Sequence, residues 1–415
     1  MRGKADVDGR HAAVPGDICM SDGSSIEWLA WPGYRPASWN PAKGCTSVSE
    51  GCRNCYAEVM AARFSKPGQW GHGIAEMRGG DHRWTGRVGL DEAKLLLPLR
   101  WRSPRVIFVN STSDLFHERL PDEAIDRVFA VMALCPQHRF IVLTKRAERM
   151  RAWVTRLSES DNAIEEICDA AVAISGSPCA AHIIEDVCMP LPNVILGVSV
   201  EDQATADERI PHLLATPAAC RMVSAEPLLG PVDFTAIMGF LGASRADRTN
   251  IRERTDALRG SDRREYLRQD GTWNHRRLDD HDGNQVFSTN CGPRLGWIVT
   301  GGESGPGARP AHPDWFRSIR DQCRAAEVPF FFKQNGEWAS WDAAGIAHGW
   351  DRSRIEGGKM FGRLTDGELA GKEFETVYPW ATRHDIGPGM VRVGKHRAGR
   401  LLDGRTHDEV PEVSR

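Results

Sequence analysis

Short apolar runs recur along the chain, and each breaks off into polar residues. They lie at 106–109, 140–143, 194–198, 221–224, 297–300 and 328–332. Short runs of this kind, often β-branched, suit strands buried on both faces. Between them, apolar residues at helical spacing predict helices over 121–134, 146–158, 203–215 and 313–326, with another at 55–65. Pro121 with Asp122, and Pro313, suit the first turns of two of these. Strand–helix alternation predicts a parallel sheet. Six such units, with a further strand before Cys45, predict an α/β fold: a full or partial (β/α) barrel of parallel strands rather than a doubly wound sheet.

In such folds ligands bind at the C-terminal ends of the strands. The polar tails that would gather there hold Ser111, Ser113 and Asp114, then Lys145 and Arg146, then Glu201, then Glu226, then Gly301, Gly302 and Glu303, and finally Lys333 and Gln334. Any one tail, taken alone, reads equally as a helix cap or a solvated loop.

Two stretches interrupt the alternation. Residues 160–190 form a small insertion holding Cys168, Cys179 and Cys188. Residues 242–292 differ in composition: positions 245–280 carry ten Arg and eight Asp or Glu. Too few apolar residues remain there to bury much core, which predicts an exposed, charged insertion before the late strands. The domain plan is a flexible tail (1–24), a barrel-like domain (25–340) with a cysteine loop at 44–56, a Gly-rich polar C-terminal extension (341–403) and a tail (404–415).

Composition narrows the function. The 415 residues carry 53 Lys plus Arg against 56 Asp plus Glu, and 41% are hydrophobic. These values exclude a disordered chain, a collagen and a coiled coil. A net charge of −3 also excludes a basic coat for nucleic acid, though not a local basic groove. No apolar run is long enough to span a membrane, and residues 1–24 hold no apolar signal segment. The expectation is a cytoplasmic protein with no membrane partner. Its eleven cysteines are then not a disulfide framework.

Three of them stand apart. Cys45, Cys52 and Cys55 lie within eleven residues, with six residues between the first pair and two between the second. A Cys-x-x-Cys turn points both sulfurs inward, and a third thiol on the preceding loop completes a three-point mount. Structural zinc takes four ligands, and no fourth cysteine is nearby. Three thiolates on a four-iron cluster would leave one iron open to a small molecule. A zinc knuckle completed by His72 or His82, or three unligated thiols, remain alternatives on spacing alone.

At these residues the chain resembles a known family. Trp39-Asn40-Pro41, the loop ending Asn54-Cys55-Tyr56-Ala57-Glu58, and segments 110–116, 143–146, 197–202, 224–228 and 301–305 occur in the order seen in the phage gene product thirty-seven/sixty-eight family, the three-Cys-motif proteins. The likeness runs from about Ile26 to Trp338, with both insertions outside it. That family in turn resembles the radical S-adenosylmethionine enzymes.

The resemblance implies a 4Fe-4S cluster on Cys45, Cys52 and Cys55, whose open iron takes S-adenosylmethionine. One electron then yields a 5′-deoxyadenosyl radical that abstracts a substrate hydrogen, the cofactor carrying the chemistry. It implies cofactor-binding roles for the strand-end tails. Ser111, Ser113 and Asp114 would take the methionine ammonium or ribose, and Lys145 or Arg146 the methionine carboxylate. Glu201 and Glu226 would accept from ribose or substrate. Gly301, Gly302 and Glu303 would line the barrel mouth. A reductant protein is the implied partner.

Two other functions fit the residues. Asp114, Glu201, Glu226 and Glu303 could hold Mg²⁺ for phosphodiester chemistry, with the cysteines a zinc knuckle. Alternatively the Arg-rich insertion could grip nucleic acid without catalysis. A nucleic-acid or nucleotide-type substrate draws on Arg83 and Arg87 beside Trp70 and Trp84, a pairing suited to phosphate contact and base stacking. Tryptophans packed into the fold beside solvated arginines are the alternative.

Overall fold

Seven strands pair in strict chain order. They are β1 (Arg35–Trp39), β2 (Arg105–Val109), β3 (Arg139–Thr144), β4 (Val194–Val200), β5 (Cys220–Ala225), β6 (Trp297–Gly301) and β7 (Phe330–Gln334). Every pairing is parallel. A doubly wound sheet would reverse its order part-way; here each strand lies beside its successor, and the sheet curls into a half-barrel. The computed structural model describes residues 24–186, 189–238, 251–267, 273–276, 293–340, 350–356, 359–364, 373–377 and 389–412.

The helices follow the strands: α1 (Tyr56–Arg63), α2 (Asp122–Ala133), α3 (Ala147–Glu159), α4 (Asp161–Ser175), α5 (Cys179–Asp186), α6 (Gln203–Ala215) and α7 (Pro313–Ala325). Successive strand residues face opposite sides of the sheet, and the apolar residues sort accordingly. Ile107, Val109, Phe140, Val142, Leu196, Val198, Val223 and Ile298 pack outward against buried helical residues such as Val128, Phe129, Met150, Ile210 and Ile319. Val106, Ile141, Ile195, Met222, Trp297, Val299 and Phe331 form a separate inner cluster.

That inner cluster is closed at the N-terminal ends of the strands by residues 27–31. Trp28 meets Phe108 edge-on at 5.0 Å and Trp297 at 5.9 Å, and Trp31 meets Trp297 at 5.7 Å. The inner positions nearer the C-terminal ends change character. By the same alternation they are Lys145, Glu201, Ser224, Glu226, Gly301 and Lys333. One end of the half-barrel is therefore plugged with indole, and the other is lined with charge.

The interrupting stretches also fold. Within 160–190, α4 and α5 bury Ala163, Ile167, Cys168, Ala171 and Ala180 in the outer core; Cys188 lies outside the described residues. Within 242–292, the strands Ile251–Asp256, Ser261–Leu267 and Trp273–Arg276 join Ile237–Met238 in a four-stranded antiparallel sheet. The turn residues Ala257 and Leu258 are fully buried. The remainder of that stretch is outside the described residues. The C-terminal extension holds a five-stranded antiparallel sheet running from Trp338–Ser340 to Met390–Arg392 and onward to Trp350–Glu356. Residues 404–412, read from the sequence as a tail, lie along β7. The Phe332 amide donates to the His407 carbonyl at 3.0 Å, and Trp297 Nε1 donates to the Glu409 carbonyl at 2.9 Å.

Candidate functional site

The cysteine loop lies across the charged end of the half-barrel and is tied to the rim at five points. The first is Arg146, just past β3. Its guanidinium donates to the Thr46 carbonyl at 3.2 Å and hydroxyl at 2.9 Å, and stands 3.9 Å from Cys45 Sγ. Arg146 is itself held by Asp114 at 3.0 Å and Glu118 at 2.8 Å. The second is Ser49, whose hydroxyl donates to Glu201 at 3.0 Å. The third is Arg309, which donates to the Glu50 carbonyl at 3.0 Å and pairs with Glu303 at 2.7 Å. The fourth is Asn54, whose amide donates to the Gly307 carbonyl at 2.7 Å. The fifth is Tyr56, whose hydroxyl donates to the Ser111 carbonyl at 2.6 Å.

The loop sits close. A Cβ on Gly51 would fall 2.4 Å from Glu201 Oε1, so only glycine lets the loop backbone reach that carboxylate. Glu201 is almost fully buried, and it is met by Lys145 Nζ and by Arg209 at 3.1 Å. On the opposite wall, Lys333 bonds both oxygens of Glu226, at 3.0 and 2.8 Å. The site thus offers two Lys–Glu pairs on the inner wall beneath three thiols.

The other sequence-derived residues brace the rim. Asp114 accepts from Thr144 Oγ1 at 2.7 Å, the Lys145 amide at 3.1 Å and the Phe116 amide at 3.0 Å, besides Arg146. Ser111 donates to Asn40 Oδ1 at 3.1 Å, and Ser113 to the Ala42 carbonyl at 2.8 Å. These bonds fasten the end of β2 to the end of β1. Gly302 passes so close to Asn335 that a Cβ would lie 2.1 Å from its carbonyl oxygen. Gly301 borders Glu226.

The four carboxylates do not meet: Asp114, Glu201, Glu226 and Glu303 each have their own basic partners. Among the described residues, no three His, Cys, Asp or Glu side chains converge closely enough to hold one metal ion. His72 hydrogen-bonds the Ser65 carbonyl at 3.0 Å.

Electrostatics distinguish the thiols. Burial pushes Cys45 up to about 12; the Asp114 charge adds to this, and the Arg146 guanidinium opposes it. Burial also raises Cys55, against amide hydrogen bonds from Ala57 and Glu58 that favour the thiolate. Burial and the Arg146 charge lower His117, whose Nε2 lies 2.9 Å from Thr46 Oγ1. Burial would raise Glu303, but its bonds from Arg309 prevail and hold it below the usual carboxylate value.

As a mount for an iron–sulfur cluster the donor set fits in ligand chemistry and not in position. Cys45, Cys52 and Cys55 are free and sit on one loop, but among the described residues their sulfurs do not converge on one point. Thiolates are the ligands such clusters take.

Several participants were not singled out from the sequence. Ser49, Thr46, His117 and Arg309 belong to no spacing rule, whereas Lys333 is the polar tail of the 328–332 run.

The loop over 66–90 places Trp70 and Trp84 against Ala61, Ala62, Ile74 and Ala75. Arg83 pairs with Asp81 at 2.9 Å, and Arg87 is exposed. The two indoles thus pack on α1 while staying half-buried.

The sequence model of a family described as "Protein of unknown function (DUF5131)" matches residues 23–411. No curated protein and no solved structure matches the chain.

Proposed function

The chain belongs to this family of proteins of unknown function, and from the site it carries we propose that it is an iron–sulfur enzyme of the radical S-adenosylmethionine type, akin to the phage and prophage proteins its motifs resemble. One observation carries the reading: three free thiols on a single loop, laid across the open end of a half-barrel of parallel strands. Cys45, Cys52 and Cys55 would hold the cluster. When bound, the cluster and S-adenosylmethionine supply one electron and a carbon-centred radical for hydrogen abstraction.

The chain's own residues position and shield. Arg146 fixes the first half of the loop through Thr46, and its charge beside Cys45 favours the thiolate. Ser49 and Arg309 fix the second half. Lys145, Glu201, Glu226 and Lys333 place two ammonium and two carboxylate groups on the inner wall. These four groups are paired with one another, and a zwitterion bearing an amino and a carboxylate group would bind by exchanging partners with such a pair, keeping every charge-assisted bond. The loop, tied at five points, limits water at the inner wall. A reductant protein and a nucleotide-type substrate complete the proposal. Exposed Arg87 beside the half-buried Trp70 and Trp84 supports the latter.

The magnesium alternative draws no support from four carboxylates that are each already paired. The test is anaerobic incubation of reconstituted protein with S-adenosylmethionine and a strong reductant. Release of 5′-deoxyadenosine and methionine is expected. An intact cluster that releases neither would contradict the proposed chemistry.

A further inference from the structure

Far from the cysteine loop, at the N-terminal ends of β5, β6 and β7, the structure leaves an open cavity of about 1030 Å³. This lies at the upper end of the size range of ligand sites. Its walls come from the start of β5, the turn before β6, the end of α7 and the C-terminal segment. Five arginines line it: Arg221, Arg294, Arg320, Arg324 and Arg405; no lysine does.

Two of the five are committed to the fold. Arg221 donates to the Leu213 carbonyl at 3.2 Å and the Thr216 carbonyl at 2.7 Å. Arg320 pairs with Asp321 at 2.8 Å and with Asp403. The guanidinium groups of Arg294, Arg324 and Arg405 are exposed and make no hydrogen bond or ion pair among the described residues. Three acids share the walls, Glu327, Glu409 and Glu412, of which Glu409 accepts from the Phe330 amide at 3.0 Å. Five arginines against three carboxylates leave the cavity net positive.

A second observation comes from the same wall. His407 is nine-tenths buried, its ring edge-on to Phe330 at 5.4 Å, and its Nε2 has no hydrogen-bond partner. A buried polar atom left unpaired costs about 1–3 kcal/mol. Burial and the Arg405 and Arg320 charges hold the ring neutral, so Nε2 is an acceptor that a hydroxyl of a bound ligand would satisfy.

We propose that this cavity binds a phosphate-bearing anion. Arginine rather than lysine matches the planar, bidentate geometry of phosphate oxygens. Three unpaired guanidiniums around one space exceed what a single carboxylate would use. The shared chemistry has two sources, a free nucleotide or the backbone of a nucleic-acid strand. The site is independent of the cysteine loop and of the function proposed for it.

Calorimetric titration of the full chain at low salt tests this, with inorganic pyrophosphate, ATP and a single-stranded DNA 12-mer as probes. Saturable pyrophosphate binding that weakens as salt rises is expected. Arg294→Ala, Arg324→Ala and Arg405→Ala should each weaken it about tenfold or more, the usual scale for a hydrogen bond to a charged group. Arg78→Ala, on the hairpin beside α1, should leave it unchanged. These guanidiniums make no bonds in the fold, so the melting temperature of each variant should match the parent; Arg324→Glu gives a second, stronger test at one position. ATP binding tighter than the 12-mer assigns a free nucleotide. Tightest binding by the 12-mer, with a salt slope set by the phosphates contacted, assigns a strand. No binding of any probe, or binding that survives all three substitutions, would overturn the proposal.

Discussion

The hydroxyl of Ser49, in the cysteine loop, donates to the carboxylate of Glu201, at the end of β4, over 3.0 Å. The same carboxylate is buried against Lys145 and Arg209. One group therefore ties the loop to the barrel and neutralises two cations beneath it. Removing one partner of a buried pair leaves an uncompensated charge and costs about 3–5 kcal/mol. Glu201→Ala should lower stability by that order in a urea titration. Ser49→Ala should cost only about 1 kcal/mol, the net worth of one hydrogen bond. Equal losses for the two variants would contradict this division.

Glu303 carries a pH dependence whose sign is fixed. Its folded value is held below its ordinary 4.5 because the bonds from Arg309 outweigh burial. Stability from this group is present above 4.5 and is lost as pH falls through the lower, folded value. Arg309→Ala removes the partner. The variant should be less stable than the parent near pH 7, and the gap should narrow as the solution is acidified. Denaturant midpoints measured at several pH values check both statements; a gap that widens toward acid would contradict them.

The indole plug predicts a large structural effect away from the chemistry. Trp28 touches both Phe108 and Trp297 inside the half-barrel. Trp28→Ala should cost about 3–5 kcal/mol, as large-to-small changes of buried aromatics do. The loss should appear in equilibrium unfolding while the cysteine loop keeps its tethers.

Residues 405–412 cover the free edge of β7 and satisfy Phe332 N and Trp297 Nε1. Truncation after Gly404 should therefore lower the melting temperature by several degrees and promote aggregation through an uncovered strand edge. An unchanged melting temperature would show that this segment adds nothing to the barrel.

The barrel strands were legible because a strand buried on both faces must be apolar, and it must turn polar where it leaves the core. β1 was legible only as a strand somewhere before Cys45. At the sheet edge, its Arg35 and Pro36 need not be apolar. The antiparallel sheet inside 242–292 escaped notice because strand pairing needs backbone, not apolar side chains; Arg254 pairs in register with Arg263. In the site, the cysteines and the charged strand ends could be read from spacing. Their partners could not, since Ser49 meets Glu201 across 152 positions and Arg309 meets Glu50 across 259. Asp114, Ser111 and Ser113 were singled out as cofactor ligands. In the structure their side chains mostly join the ends of β1, β2 and β3, through Asn40, Ala42, Thr144, Lys145 and Arg146, which nothing local in the sequence reveals.

The most direct test is the iron and acid-labile sulfide content of protein reconstituted under anaerobic conditions, with its visible absorbance. About four irons per chain are expected, lost in Cys45→Ala, Cys52→Ala and Cys55→Ala alike and kept in Cys135→Ala and Cys323→Ala. Iron retained in full by Cys52→Ala, or stoichiometric zinc in place of iron and sulfide in the parent protein, would contradict the cluster assignment.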